Sequence, residues 1–182
     1  MQGKRYNREI ERLRDPERVA RLEVKRVVNL SLEDMENTKT VLDIGVGSGI
    51  FAEAFAAKGL QVSGVDVNPE MLSAALAFVP SGTFTQGNAE KLPFENAAFD
   101  LTFMGLLLHE TDDALIALKE AHRVTQKRLA ILEWVYENQP FGPPLEHRIS
   151  VDKITSLAQQ AGFKQIEALQ LQNLALYRCN IS

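Results

Sequence analysis

The chain has 182 residues, 45% apolar and 24% charged, with a net charge of −4, which suits one domain with a full hydrophobic core and leaves too little for two. Its single cysteine, Cys179, excludes an internal disulfide and any multi-cysteine metal site. Every apolar run is broken before bilayer-spanning length, and the charged opening MQGKRYNREIERLRDPER lacks the apolar core of a secretory signal, so a cytoplasmic protein is expected.

Residues 1–28 carry nine Lys or Arg against five Asp or Glu. With the acids interleaved and the overall charge negative, this reads as a solvated helix face and not as a nucleic-acid arm. DPERVARLEVKRVVNLSLED is predicted to be one helix, with Asp15 as N-cap, Pro16 at the first position, and Val19, Leu22, Val27 and Leu30 near helical spacing. TVLDIG follows as a short buried strand, then a helix to about Lys58 that stops at Gly59. QVSGVDV is a second strand, PEMLSAALAFV a helix, GTFTQG a third strand and FDLTFMG a fourth. A helix over 112–123 leads to a fifth strand, RLAILEWVY. ENQPFGPPLEHRIS, with three prolines and a glycine, is a loop. Ser150 caps a helix ending at Gly162, and KQIEALQLQ and NLALYRCNI form an antiparallel pair.

Strict alternation of strand and helix from residue 40 to 135 implies a parallel sheet with right-handed crossovers and helices on both faces. Ligands in such sheets bind beyond the carboxyl ends of the strands, near the switch point. VLDIGVGSG places Gly45, Gly47 and Gly49 at that end of the first strand, where one glycine would suffice for a bare turn. The glycines alone also satisfy a relaxed dinucleotide fingerprint, Gly47-x-Gly49-x-x-Ala52. The surroundings favour another ligand. Asp43 inside the strand would repel a pyrophosphate and welcome a cationic amino group or sulfonium. Asp66 ends the second strand, where a carboxylate can accept both hydroxyls of an adenosine ribose, and Asn88 with the Ala89 backbone follows the third strand, facing an adenine edge.

In these motifs (VLDIGVGSG, GVDVNPEML, GNAEKLPFENAAFD and LLLHE) the chain resembles the class I S-adenosylmethionine-dependent methyltransferases over residues 40–135, and most of all the branch near the ubiquinone/menaquinone-biosynthesis methyltransferases. The resemblance implies a Rossmann-like α/β/α sandwich with a seven-stranded, mostly parallel sheet and an antiparallel C-terminal strand. It implies S-adenosyl-L-methionine as cofactor. Gly45, Gly47 and Gly49 would carry its methionine part, Asp43 would orient its amino group, and Asp66 would hold the ribose. Val67 and Met71 would pack near the adenine, and Met104 and Gly105 would pass close to the sulfonium. Asn88 stands where the family usually has Asp, so the adenine amino group loses a charged acceptor and binding should weaken without being abolished.

Methyl transfer needs a base only when the nucleophile holds a proton of high pKa, and no motif names one here. His109 is the best-placed titratable group, read either as a base or as a packed ring bonding a backbone carbonyl. Trp134 reads as a pocket wall. Arg148 reads as a partner for a substrate carboxylate or as a surface ion pair. A single cysteine marks down arsenite as acceptor. The acidic charge and the lack of a recognition domain leave a small organic molecule. The expected organisation is one domain over 1–182: a helical lid segment over 1–38, the cofactor-binding core over 39–135, and a loop, helix and strand pair over 136–182. Two other functions stay open at this point: a catalytically idle S-adenosylmethionine-binding sensor or partner subunit, and an NAD-dependent oxidoreductase.

Overall fold

Thr40–Ile44 (β1) is apolar at Val41, Leu42 and Ile44, all fully buried, because it lies inside the sheet with a strand on each side. A computed structural model describes residues 10–182. In it Gln61–Asp66 (β2), Thr83–Gln86 (β3), Phe99–Gly105 (β4) and Thr125–Trp134 (β5) run parallel to β1, while Leu174–Asn180 (β7) lies antiparallel between β5 and Gln165–Gln170 (β6). The order is β3-β2-β1-β4-β5-β7-β6, the expected mostly parallel sheet with its antiparallel end. The chain leaves β1 toward β2 on one side and returns to β4 on the other, so the switch point falls between β1 and β4.

Period-two alternation divides the core in two. Leu129 and Ile131 of β5 pack under Ala114–Val124 (α6) and Val151–Ala161 (α7), which supply Leu118, Ala121, Ile154 and Ala158. Ala130 and Leu132 face the opposite side, with Val24–Leu32 (α3), Ile50–Ala57 (α4) and Pro69–Phe78 (α5). There Phe103 meets Phe51 and Phe55 at centroid distances of 4.7 and 5.4 Å. Each such ring is worth roughly 1.5–3 kcal/mol through area removed from water. Asn68, Asp113 and Ser150 cap α5, α6 and α7 with their side chains. No helix among the described residues is long and apolar enough to cross a membrane.

Two elements differ from the sequence reading. The single helix expected from Asp15 onward is two pieces, Pro16–Arg21 (α2) and α3, with a break at Glu23, whose φ is 47°, and a further short helix, Ile10–Leu13 (α1), precedes them. The break puts both Leu22 and Val27 into the core, and Glu23 is held on both sides: it accepts from Gln172 N–H at 2.9 Å and pairs with Arg26 at 2.8 Å. β5 starts at Thr125, directly from the end of α6, three residues earlier than expected. Thr125 reaches across to Thr102 of β4, hydroxyl to hydroxyl at 2.7 Å, and this buried bond holds the start of the strand.

Candidate active site

The turn after β1 uses its three glycines for three different reasons. Gly45 (φ +73°) has Leu107 against it, so that an added Cβ would stand 2.8 Å from the leucine methyls. Gly49 (φ +81°) precedes α4 and passes Ala75 of α5, whose Cα would be 3.0 Å from such a Cβ. Gly47 (φ +52°) alone opens outward, with nothing nearer than the carbonyl of Gly45 at 4.0 Å. Two of the glycines therefore let elements approach, and the middle one leaves bare backbone open to the cleft.

Asp66, at the end of β2, accepts from the Gly47 N–H at 2.9 Å and from the Asn68 N–H at 2.9 Å. Asp43 is buried in β1, 2% exposed, and among the described residues no cation pairs with it. Burial first, and then the nearby charge of Asp66, push its carboxyl up to about 8, against the weaker pull of the Ala52 N–H. Two acidic side chains at the head of one cleft, one of them with no cation partner among the described residues, favour a cationic group between them.

These residues open into a cleft of about 500 Å³ beyond the carboxyl ends of the strands. Asp43, Gly45, Gly47, Asp66, Val67, Met71, Asn88, Ala89, Gly105, His109 and Trp134 all line it. The Asn88 side-chain oxygen already accepts from the Glu90 N–H at 3.0 Å, closing the turn after β3. Three residues singled out in the sequence are elsewhere. Gly49 sits behind the turn against α5. Met104 is fully buried in the core under α6, because alternation along β4 turns it away from the cleft. Arg148 is also buried and does not line the cleft. Its guanidinium donates to the carbonyls of Pro143, Val135 and Phe141 and to Gln139 Oε1, at 2.7–3.0 Å, and lies 5.5 Å from the Trp134 ring. The proline loop is thus wound round a cation, which replaces both sequence readings of Arg148.

At the far end of the cleft, Leu108–Glu110 forms a single 3-10 turn that swings His109 over β5. The His109 N–H donates to Glu133 Oε1 at 3.1 Å, and His109 Nδ1 lies 2.8 Å from Oε2 and 3.0 Å from Oε1. The ring bonds a carboxylate, not the expected backbone carbonyl. Trp134 stands as a wall beside Gly142 and Pro143. Over the top come Leu13, Arg18 and Leu22. Arg14 fastens this cover: it donates to Ser48 O at 2.8 Å, pairs with Glu53 at 2.9 Å and lies over the Phe78 ring. Leu13, Arg18 and Asp112 are cleft residues that the sequence did not single out, and Leu107 and Glu110 of the LLLHE motif join them, each arriving by a turn or helix whose path only the fold defines.

A family model described as a methyltransferase domain matches residues 42–130. A malonyl-[acyl-carrier protein] O-methyltransferase of Erwinia billingiae is 39% identical over 85 residues, 47% of this chain and 34% of that protein. A demethylmenaquinone methyltransferase of Chlorobaculum tepidum is 36% identical over 90 residues, 49% of this chain and 37% of that protein. The chain thus spans little more than a third of the length of these two curated relatives. The crystal structure of an S-adenosylmethionine-dependent methyltransferase from Aquifex aeolicus superposes with a TM-score of 0.82 at 24% identity, covering 95% of this chain and 97% of that one. That likeness is one of fold.

Proposed function

The chain belongs to this methyltransferase-domain family, whose class I fold it has, and we propose that it carries a methyl group from S-adenosylmethionine to a small-molecule acceptor. The observation that carries the reading is the pairing of Asp43 and Asp66 around the open face of Gly47. A buried acid without a cation partner among the described residues suits the cofactor's amino group, the acid ending β2 suits its ribose hydroxyls, and Gly47 leaves room for the chain between them. Val67 and Met71 offer apolar surface to the adenine, with Asn88 and Ala89 at its edge and Gly105 on the side where the sulfonium would lie. The cofactor supplies a methyl group already activated by sulfonium. The protein's part is then to orient the acceptor, exclude water and receive any proton the acceptor must lose.

On this reading 39–135 is the cofactor-binding core of a single domain. The segment before residue 39 is its cover, of which residues 1–9 lie outside the described region, and 136–182 completes the sheet and the acceptor wall. The acceptor is small, since the whole cleft is about 500 Å³, with Trp134, Pro143 and the 3-10 turn among its walls. A cytoplasmic setting fits a chain with one buried thiol, Cys179. Isothermal titration tests the proposal. S-adenosylmethionine and S-adenosylhomocysteine should bind at micromolar concentrations and NAD should not; tighter binding of NAD would end the reading.

A further inference from the structure

We propose that Arg148 is a positioning residue for methyl transfer: it fixes the Trp134 indole and the Gly142–Pro143 turn as the wall against which the acceptor is seated. This rests on the methyl-transfer reading and deepens it, since Arg148 lies outside the cleft and acts through residues that line it.

The carbonyls that Arg148 holds are those beside the cleft. Its Nη1 donates to Val135 O at 3.0 Å, one residue after Trp134. Its Nη2 and Nε donate to Phe141 O at 2.8 Å and Pro143 O at 2.9 Å, on either side of Gly142. Trp134, Gly142 and Pro143 all line the cleft. One planar fork therefore ties the strand end that carries the indole to the turn that lies against it. Gln139 Oε1 takes a further bond from Nη1, at 2.7 Å, in the middle of the loop. The turn fits the indole closely. Gly142 has φ +79°, and a Cβ there would stand 2.9 Å from Cδ2 and Cε3 of Trp134, so only bare backbone can lie so near.

The same loop meets the cover. The Arg21 guanidinium of α2 lies 5.2 Å from the Phe141 ring, Phe141 lies 6.0 Å from the indole, and the indole lies 5.5 Å from the Arg148 guanidinium. Cations and rings thus alternate from cover to wall, and the buried Arg148 is the end that the loop encloses. Its four side-chain bonds all go to residues 135–143. The groups proposed to hold the cofactor, Asp43, Gly47 and Asp66, belong instead to β1, its turn and β2. Loss of Arg148 should loosen the acceptor half of the cleft and spare the cofactor half.

Trp134 is the chain's one tryptophan, so its fluorescence reads the wall directly. In the ligand-free wild type, time-resolved anisotropy should show the indole turning only with the whole molecule. An indole that reorients by itself overturns the proposal, whether or not any variant folds. In Arg148→Met and Arg148→Lys, held well below their unfolding midpoints, independent motion should appear, and acrylamide should quench Trp134 at least about twofold more strongly. Lysine offers its donors from one point and cannot span the acceptors of the fork, so it should not rescue the signal. S-adenosylhomocysteine should bind both variants within about threefold of the wild-type dissociation constant. A lowered unfolding midpoint with Trp134 unchanged would make Arg148 a structural residue only. Loss of cofactor affinity together with indole motion would mean that it supports the whole cleft. Either result overturns the proposal. In the wild type, bound S-adenosylhomocysteine should leave most of the acrylamide quenching in place, and complete protection would put Trp134 against the cofactor and end its part as acceptor wall. The two readings fail separately: a fixed indole in a protein that binds no S-adenosylhomocysteine removes methyl transfer, and a mobile indole beside bound cofactor removes the wall.

Discussion

The backbone N–H of Gly47 donates to the carboxylate of Asp66 at 2.9 Å, so the glycine turn after β1 and the acid ending β2 are one hydrogen-bonded unit. Asp66→Ala should therefore do two things. Removal of the proposed ribose contacts lowers cofactor affinity by at least about tenfold, ~1.4 kcal/mol. Loss of the bonds to Gly47 and Asn68 costs stability as well, on the order of 1–3 kcal/mol for charge-assisted bonds. Thermal unfolding with and without S-adenosylhomocysteine separates the effects, and an unchanged dissociation constant would show that the ribose lies elsewhere.

Asp43 gives the site a pH dependence whose sign follows from its burial. Its carboxyl is raised from 3.8 to about 8, so without ligand it is largely protonated at neutral pH. A group raised in the folded state lends stability that is full below about pH 4 and is lost as the pH climbs toward 8. A cationic ligand favours the charged form, so cofactor binding at pH 7 should release a proton from Asp43. Affinity should rise from pH 6 to 8 and then level off. Calorimetry in buffers of different ionisation enthalpy reads the proton directly; uptake, or a flat profile that persists in Asp43→Asn, would count against the assignment.

The glycines should separate binding from folding. Gly47→Ala meets open space and only the left-handed backbone cost of about 1–2 kcal/mol, but its methyl enters the cleft, so cofactor affinity should fall more than stability. Gly49→Ala drives a methyl to 3.0 Å from the Ala75 backbone, which cannot swing aside. That variant should be the less stable of the two by thermal unfolding. Equal losses of affinity and stability in both would mean the turn acts only as scaffold.

Most of the sheet was legible because β1, β4, β5 and β7 are largely buried and read as short apolar runs, and the helices between strands are marked by polar caps or glycines: Asn68 before Pro69, Ser150 before Val151, Gly59 and Gly162 after their helices. The break at Glu23 was not, since a non-glycine residue in the left-handed region has no local signature and is set here by Gln172, far along the chain. The His109–Glu133 pair was only half visible. Both residues could be placed at strand ends, but their contact depends on how the 3-10 turn after β4 folds back over β5. Met104, expected near the sulfonium, lies in the core under α6 and not in the cleft, because alternation along β4 decides which face each side chain joins. The role of Arg148 is written in backbone carbonyls, which no residue type announces.

The cover over the cleft is fastened more firmly than an apolar stripe alone would suggest. Of the lid segment expected over 1–38, residues 1–9 lie outside the described region, while α1 is helical and Arg14 reaches Ser48, Glu53 and Phe78. Hydrogen exchange in the ligand-free protein should show protection over residues 16–32 that Arg14→Ala reduces most near α2. Cofactor should slow exchange further in the wild type. Exchange over α2 that is unchanged by Arg14→Ala would mean that Leu22 and Val27 dock the segment by themselves.

β7 follows β6 in the chain yet sits inside it, between β6 and β5. Its partner Arg128 pairs with Asn180 across 52 residues, while its pairing with β6 closes over a tight hairpin. The local hairpin therefore forms cheaply, and the distant seam closes only after α7 and the proline loop have been threaded past. Until then β5, with Leu129, Ala130, Ile131 and Leu132 all destined for full burial, presents an uncovered edge. During synthesis and refolding that edge is the surface on which two unfinished chains would stick together, and the speed of hairpin docking decides how often they do.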